Sequence, residues 1–135
     1  MASRVFVDTG AWYALLVAKD KHHKRARAWI EDNENARLIT SDYVAAEVLN
    51  LLVARQQGRI CAVFAKTFLG NGGADLLLVS PADFDAALGV LTSYQDKNWS
   101  FTDCTSKVLM EQLGIDTAFA FDEHFRQFGS VTVVP

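Results

Sequence analysis

Cysteine and proline are scarce in this sequence, which has only Cys61, Cys104, Pro81 and Pro135 of the two types. Two cysteines are too few for a disulfide framework, and their spacing is not that of zinc ligands. Both read as small buried hydrophobes. Pro-rich linkers, internal repeats and low-complexity tracts are absent. So are long hydrophobic runs: no stretch approaches the roughly 18 apolar residues of a membrane-spanning helix. The opening MASRVFVDTG lacks the apolar segment of a secretory signal, so a cytoplasmic, reducing setting is the expectation. Positive charge is in deficit as well, with 13 Lys and Arg against 16 Asp and Glu for a net −3. No global basic field announces a nucleic-acid partner, and any such reading must come from a local cluster.

What is present is an ordinary globular composition, half hydrophobic and 21% charged over 135 residues. That length suits one domain, residues 1–135, with a core large enough to fold without staples. Short apolar runs alternate with helical patterns. Arg4–Val7 reads as a strand, and Thr9–Ala18 as a helix with Trp12, Leu15 and Leu16 at helical spacing. A helix over His22–Asp32 and a short strand over Leu38–Thr40 follow. TSDYVAAEVLNLLVARQQG opens on the N-cap candidates Ser41 and Asp42 and stops at Gly58. A further helix runs to the turn Gly70–Gly73, and DLLLVS reads as a strand. Pro81 opens a helix to about Tyr94. A helix over Asp103–Leu113 ends at Gly114, and TAFAF and VTVV are the last strands, with DEHFRQF a helical turn between them. Continuous apolar strands separated by helices imply a mainly parallel central sheet covered on both faces, a three-layer α/β/α sandwich. In such sheets the functional crevice lies beyond the carboxyl ends of the strands.

Two apolar strand patterns run straight into acids, Val5–Val7 into Asp8 and Phe119–Phe121 into Asp122. Glu47 follows Val44 and precedes Leu51 on its helix, so the spacing places it within the apolar stripe. There a carboxylate needs a partner or a metal. Asp103 stands at a helix start, where the dipole favours an acid. Taken singly, Asp8, Asp103 and Asp122 could each cap a helix, and Glu47 could pair with a buried Arg. Taken together, the four can converge on one crevice, and no Lys or Arg lies within two residues of any of them. A hard divalent cation, Mg2+ or Mn2+, is the natural compensator for such crowding. Acidic sites of this kind assist phosphodiester hydrolysis by activating water and neutralising the leaving oxygen.

VFVDTGAWYALL, LITSDYVAAEVLN, SFTDCTSKVLMEQLGI and AFAFDEHFRQFG resemble the PIN domain family, specifically its VapC-like toxin ribonucleases. The resemblance runs from Val5 nearly to the end. Its acids match Asp8, Glu47, Asp103 and Asp122 as catalytic and metal-holding positions. It implies a PIN-like α/β sandwich and cleavage of RNA with Mg2+ or Mn2+. It also implies frequent homodimers and a small inhibitory antitoxin. By the same similarity the hydroxyls of Thr9 and Thr105 could orient a carboxylate or a water, although helix starts alone would explain both.

KDKHHKRAR is the basic cluster of an acidic chain. Near an acidic pocket, Lys24 and Arg25 would hold RNA phosphates; otherwise the segment is a solvated helix face. The Trp and Tyr residues could stack on bases, and the faces around Leu49, Leu52 and Phe64 could serve an antitoxin or a second subunit. Two alternatives compete with a nuclease. One is a PIN-fold protein that binds RNA without cutting it. The other is a receiver-like Mg2+-binding signalling module, although that fold wants paired acids after its first strand and a late Lys, which are missing here.

Overall fold

The structure, a computed structural model, describes residues 3–135. Five strands form the sheet: β1 (Arg4–Val7), β2 (Arg37–Ser41), β3 (Asp75–Leu77), β4 (Thr117–Phe119) and β5 (Thr132–Val134). All pairings are parallel, in the order β3-β2-β1-β4-β5. The helices are α1 (Thr9–Leu16), α2 (His23–Asp32), α3 (Asp42–Ala54), α4 (Gly58–Phe64), α5 (Pro81–Ser93) and α6 (Phe101–Leu113). The chain first builds β1, β2 and β3 in one direction, then crosses back to lay β4 on the other side of β1. Right-handed crossovers therefore place α1–α4 on one face and α5 and α6 on the other. The helix packing agrees, with α1 against α2 and α3, α3 against α4, and α5 against α6. This is the expected three-layer sandwich. A receiver module has a different strand order, 2-1-3-4-5, so the topology removes that alternative.

The reversal of strand order falls between β1 and β4. That is where an open α/β sheet leaves a crevice at its carboxyl edge. The backbone N–H of Asp8 donates to the carbonyl of Phe119 at 3.0 Å. The chain that leaves β1 and the chain that leaves β4 thus depart side by side.

Beneath the crevice Phe6, Trp12, Phe64, Phe119 and Phe125 are fully buried. Each such side chain contributes about 1.5–3 kcal/mol on burial. The Trp12 indole, buried among them, satisfies its N–H on Thr40 Oγ1 at 3.2 Å. Tyr13 and Trp99 are buried too, which assigns them to the core rather than to base stacking. Leu52 and Phe64 are likewise fully buried, so they are not available to a partner as the sequence suggested. Val53 and Val63 on the same helices are large apolar residues that stand exposed.

Several boundaries differ from the sequence reading, each for a local reason. Helix α1 stops at Leu16, because the next residue, Val17, has extended backbone. Ser41, not Asp42, caps α3, its hydroxyl accepting from the Val44 N–H at 3.1 Å. Asp42 instead accepts from the Val79 N–H at 3.0 Å, fastening the exit of β3 to the start of α3. Helix α6 begins at Phe101 because Ser100 and Asp103 form a reciprocal capping box. Strand β3 is an edge strand rather than a doubly covered one, and Leu76 and Leu78 stand exposed. Strand β4 ends at Phe119, so Phe121 and Asp122 lie in the bend beyond it.

Candidate active site

Asp8 is buried at 4% exposure and occupies the N-cap position of α1, yet its side chain makes no cap hydrogen bond. The helix does not use this carboxylate. Burial pushes the Asp8 carboxyl well above the ordinary carboxylate range, and the charges of Asp122 and Asp103 push it the same way. These three acids from three separate elements therefore act on one another electrostatically.

Asp103 is the third residue of α6 and is buried at 6% exposure. Its Oδ2 accepts from the Ser100 N–H at 3.0 Å and lies 2.7 Å from His124 Nδ1. Burial raises its pKa, while the Ser100 N–H and His124 oppose the rise. Capping and convergence on the crevice are thus not exclusive, since Asp103 does both. Asp122 is exposed, and its Oδ1 accepts the backbone N–H of His124 at 3.0 Å. His124 so touches two of the acids, and the sequence reading passed over it. The signal was there: in DEHF the His stands two residues after the acid, close enough to turn back onto it.

Glu47 corrects the sequence reading. It is exposed, not set within the apolar face, because Val44 and Val48 carry the buried stripe and Ala46 and Glu47 face outward. It lines a cleft of about 450 Å³ with Asp42, Tyr43, Ala46, Asn50 and Thr102. Thr102 adjoins Asp103 at the start of α6, so Glu47 looks toward that helix from the α3 side.

The two threonines separate. Thr105 donates to the Thr102 carbonyl at 2.7 Å, so its hydroxyl is spent on its own helix rather than on a carboxylate. Thr9 Oγ1 is buried with no hydrogen-bond partner. A buried hydroxyl left unsatisfied costs about 1–3 kcal/mol, and this one adjoins Asp8.

As the side chains stand, no three of His, Cys, Asp or Glu among the described residues close around one point as a bound ion requires. The chemistry of the donor set nonetheless fits a hard divalent cation. It offers a buried Asp8 carboxyl whose pKa is raised by burial and by the neighbouring acids and an orphaned hydroxyl beside it, with no Lys or Arg ion-paired to these acids among the described residues. Another cavity, of about 260 Å³ around Met110, Ile115 and Phe128, contains none of these acids, and its Glu111 is already ion-paired to Lys107.

Of the basic segment, Arg25 packs beside the residue that precedes Asp122. Lys24 and Arg25 are both exposed on α2. The Arg25 guanidinium lies 5.6 Å from the centre of the Phe121 ring, the residue before Asp122. Cys104 is buried and burial pushes its thiol up, as an inert core cysteine.

Three comparisons bear on this arrangement. The PIN domain profile matches residues 5–131. The 23S rRNA-specific endonuclease VapC20 of Mycobacterium tuberculosis is 33% identical over 97% of this chain and 98% of its own length. Ribonuclease VapC26 of the same organism is 28% identical over 97% and 100%. The crystal structure of VapC20, described as a sarcin–ricin loop cleaving toxin, superposes with a TM-score of 0.87 at 30% identity, covering 97% of this chain and 99% of that one. Matched in sequence and in fold along nearly its whole length, this chain belongs to the PIN domain family.

Proposed function

We propose that residues 1–135 act as a single nuclease domain, a Mg2+- or Mn2+-dependent endoribonuclease that serves as the toxin of a toxin–antitoxin pair. One observation carries the reading most: near the topological switch point of the sheet, the charges of Asp122 and Asp103 raise the pKa of the buried Asp8, and Asp122 also raises that of Asp103. The similarity to VapC20 and VapC26 supports the choice of RNA over other phosphodiesters. The partners that accompany this role are a small antitoxin and a second copy of the chain.

Asp8, Asp103 and Asp122 would hold the cation, with Glu47 completing the set from the α3 side of the cleft. When bound, the cation supplies Lewis-acid neutralisation of phosphoryl charge and makes water a better nucleophile. Asp8 contributes a carboxylate that no helix cap diverts. Asp103 is held in one orientation by Ser100 and His124. The Glu47 carboxylate, exposed like that of Asp122, would accept a proton from attacking water. Lys24 and Arg25 would draw the RNA backbone toward the acids, which otherwise repel it. The Thr9 hydroxyl is free to turn to a carboxylate or water at Asp8.

The test is cleavage of 23S rRNA and of unrelated RNAs in Mg2+, in Mn2+ and in EDTA, for the wild type and Asp8→Asn. Metal-dependent cleavage lost in the variant is the expected result. RNA bound but never cut under any condition would replace this reading with that of a binding protein.

A further inference from the structure

His22 and Phe121 lie ring on ring, with centroids 4.3 Å apart and planes only 2° from parallel. The other aromatic pairs here are inclined by 27° or more. Both residues are half-buried, and Phe121 packs against the edge of the core. Phe121 comes after the end of β4 and immediately before Asp122, so the stack stands beside the acids by covalent connection. We propose that this stack is a platform for one unpaired nucleobase of the RNA, next to the phosphate to be cut; the inference rests on the nuclease reading.

The platform is built on fixed supports. Phe121 meets Phe119 edge to face, with centroids 5.9 Å apart, which anchors its ring to the buried end of β4. The His22 backbone N–H donates to Asp20 Oδ2 at 3.0 Å, and its carbonyl accepts from the Ala26 N–H at 2.9 Å at the entry of α2. Neither ring must be ordered when a ligand arrives, so less binding energy is lost to ordering. Arg25 adds a guanidinium 5.6 Å from the Phe121 ring centre. A flat aromatic face with a cation beside it suits a nucleobase and its adjoining phosphate, and stacking accepts any base because every base has a π face. Bases in a continuous A-form duplex are already stacked on each other. The platform therefore selects RNA whose base can turn out, in a loop, bulge or single strand.

The experiment uses the full chain in EDTA, which keeps RNA uncut, and a short RNA hairpin with 2-aminopurine placed in turn at each loop position. The expected result is fluorescence quenching at one position with the wild type. His22→Ala should abolish that quench and weaken binding about tenfold, within the range for loss of one stacked base. His22→Leu, which still covers Phe121 but has no flat face, should behave alike. His22→Phe should restore both quench and affinity. The salt dependence of binding should be the same in all, because the stack does not neutralise phosphate. RNA that binds with no quench at any position, or with a quench that survives His22→Ala and His22→Leu, would overturn the platform and leave the nuclease reading standing. Failure of the wild type to bind any of these RNAs would also overturn the platform, whereas the nuclease reading stands or falls on metal-dependent cleavage.

Discussion

His124 Nδ1 lies 2.7 Å from Asp103 Oδ2, and this contact joins the bend after β4 to the first turn of α6. One acid of the site is thus oriented by a residue that follows another. A side chain that orients an active-site ligand typically matters 10- to 100-fold. His124→Ala should lower kcat by about that factor. His124→Asn, whose amide nitrogen falls near the position of Nδ1, should recover most of it. His124→Gln, which places its amide one bond further out, should not. Equal activity in all three variants would reduce the contact to packing.

The raised pKa of Asp8 predicts a pH dependence of metal-free stability. A carboxyl whose folded pKa lies above its unfolded value of about 3.8 stabilises the fold fully below that pH. The contribution is lost as pH rises through the folded value, where the buried group must ionise. Asp8→Asn removes that penalty. The variant should melt higher than the wild type in EDTA at neutral pH, and the advantage should vanish below about pH 3.8. An Asp8→Asn protein less stable at neutral pH would show that the carboxylate has a structural partner.

Cation binding should reverse that ordering. A ligand that binds only the native state at 100 times its Kd stabilises by about 2.7 kcal/mol. That amounts to a rise in Tm of roughly 5–20 °C for a chain of this size. Titrating Mg2+ and Mn2+ into the wild type should produce such a rise, and Asp8→Asn, Asp103→Asn and Asp122→Asn should each shrink it. A flat response in the wild type at saturating metal would remove the cation from the proposal.

Glu47→Gln separates chemistry from scaffold. Because Glu47 is exposed, metal-free stability should stay within about 0.5 kcal/mol of the wild type, while cleavage should fall at least tenfold if its carboxylate takes part. Asp85→Asn and Asp116→Asn, also exposed, should change neither. Asp42→Ala differs from both groups, since it frees the Val79 N–H and should cost about 1 kcal/mol without a comparable loss of activity. Full activity in Glu47→Gln would confine the site to the three coupled acids.

Lys24→Ala with Arg25→Ala should weaken RNA binding and flatten its dependence on salt. Each phosphate contact to a single strand contributes about 0.7 to the slope of log K against log salt, so losing two should reduce it by about 1.4. An unchanged slope would return both residues to a solvated helix face.

The sequence by itself determined the architecture and the position of Asp8 and Asp122 after strands, because both are written in local terms. Apolar runs such as Val5–Val7 specify buried parallel strands, helical spacing specifies the layers, and an acid directly after a strand lies at the edge where α/β sheets open. Ser80 with Pro81, and Ser100 with Asp103, carry helix starts in four residues or fewer. Tertiary structure decided the rest. Glu47 is exposed although its neighbours at helical spacing are apolar, because the buried stripe of α3 runs along Val44, Val48 and Leu52, and spacing alone does not fix how a helix is rotated on its sheet. Thr9 and Thr105 look equivalent in sequence, yet only the fold leaves one hydroxyl without a partner. His124 meets Asp103, and His22 meets Phe121, across 21 and 99 positions respectively. Such contacts exist only once the strand order turns back at β1, since chain crossings, not local preferences, set which loops share the carboxyl edge.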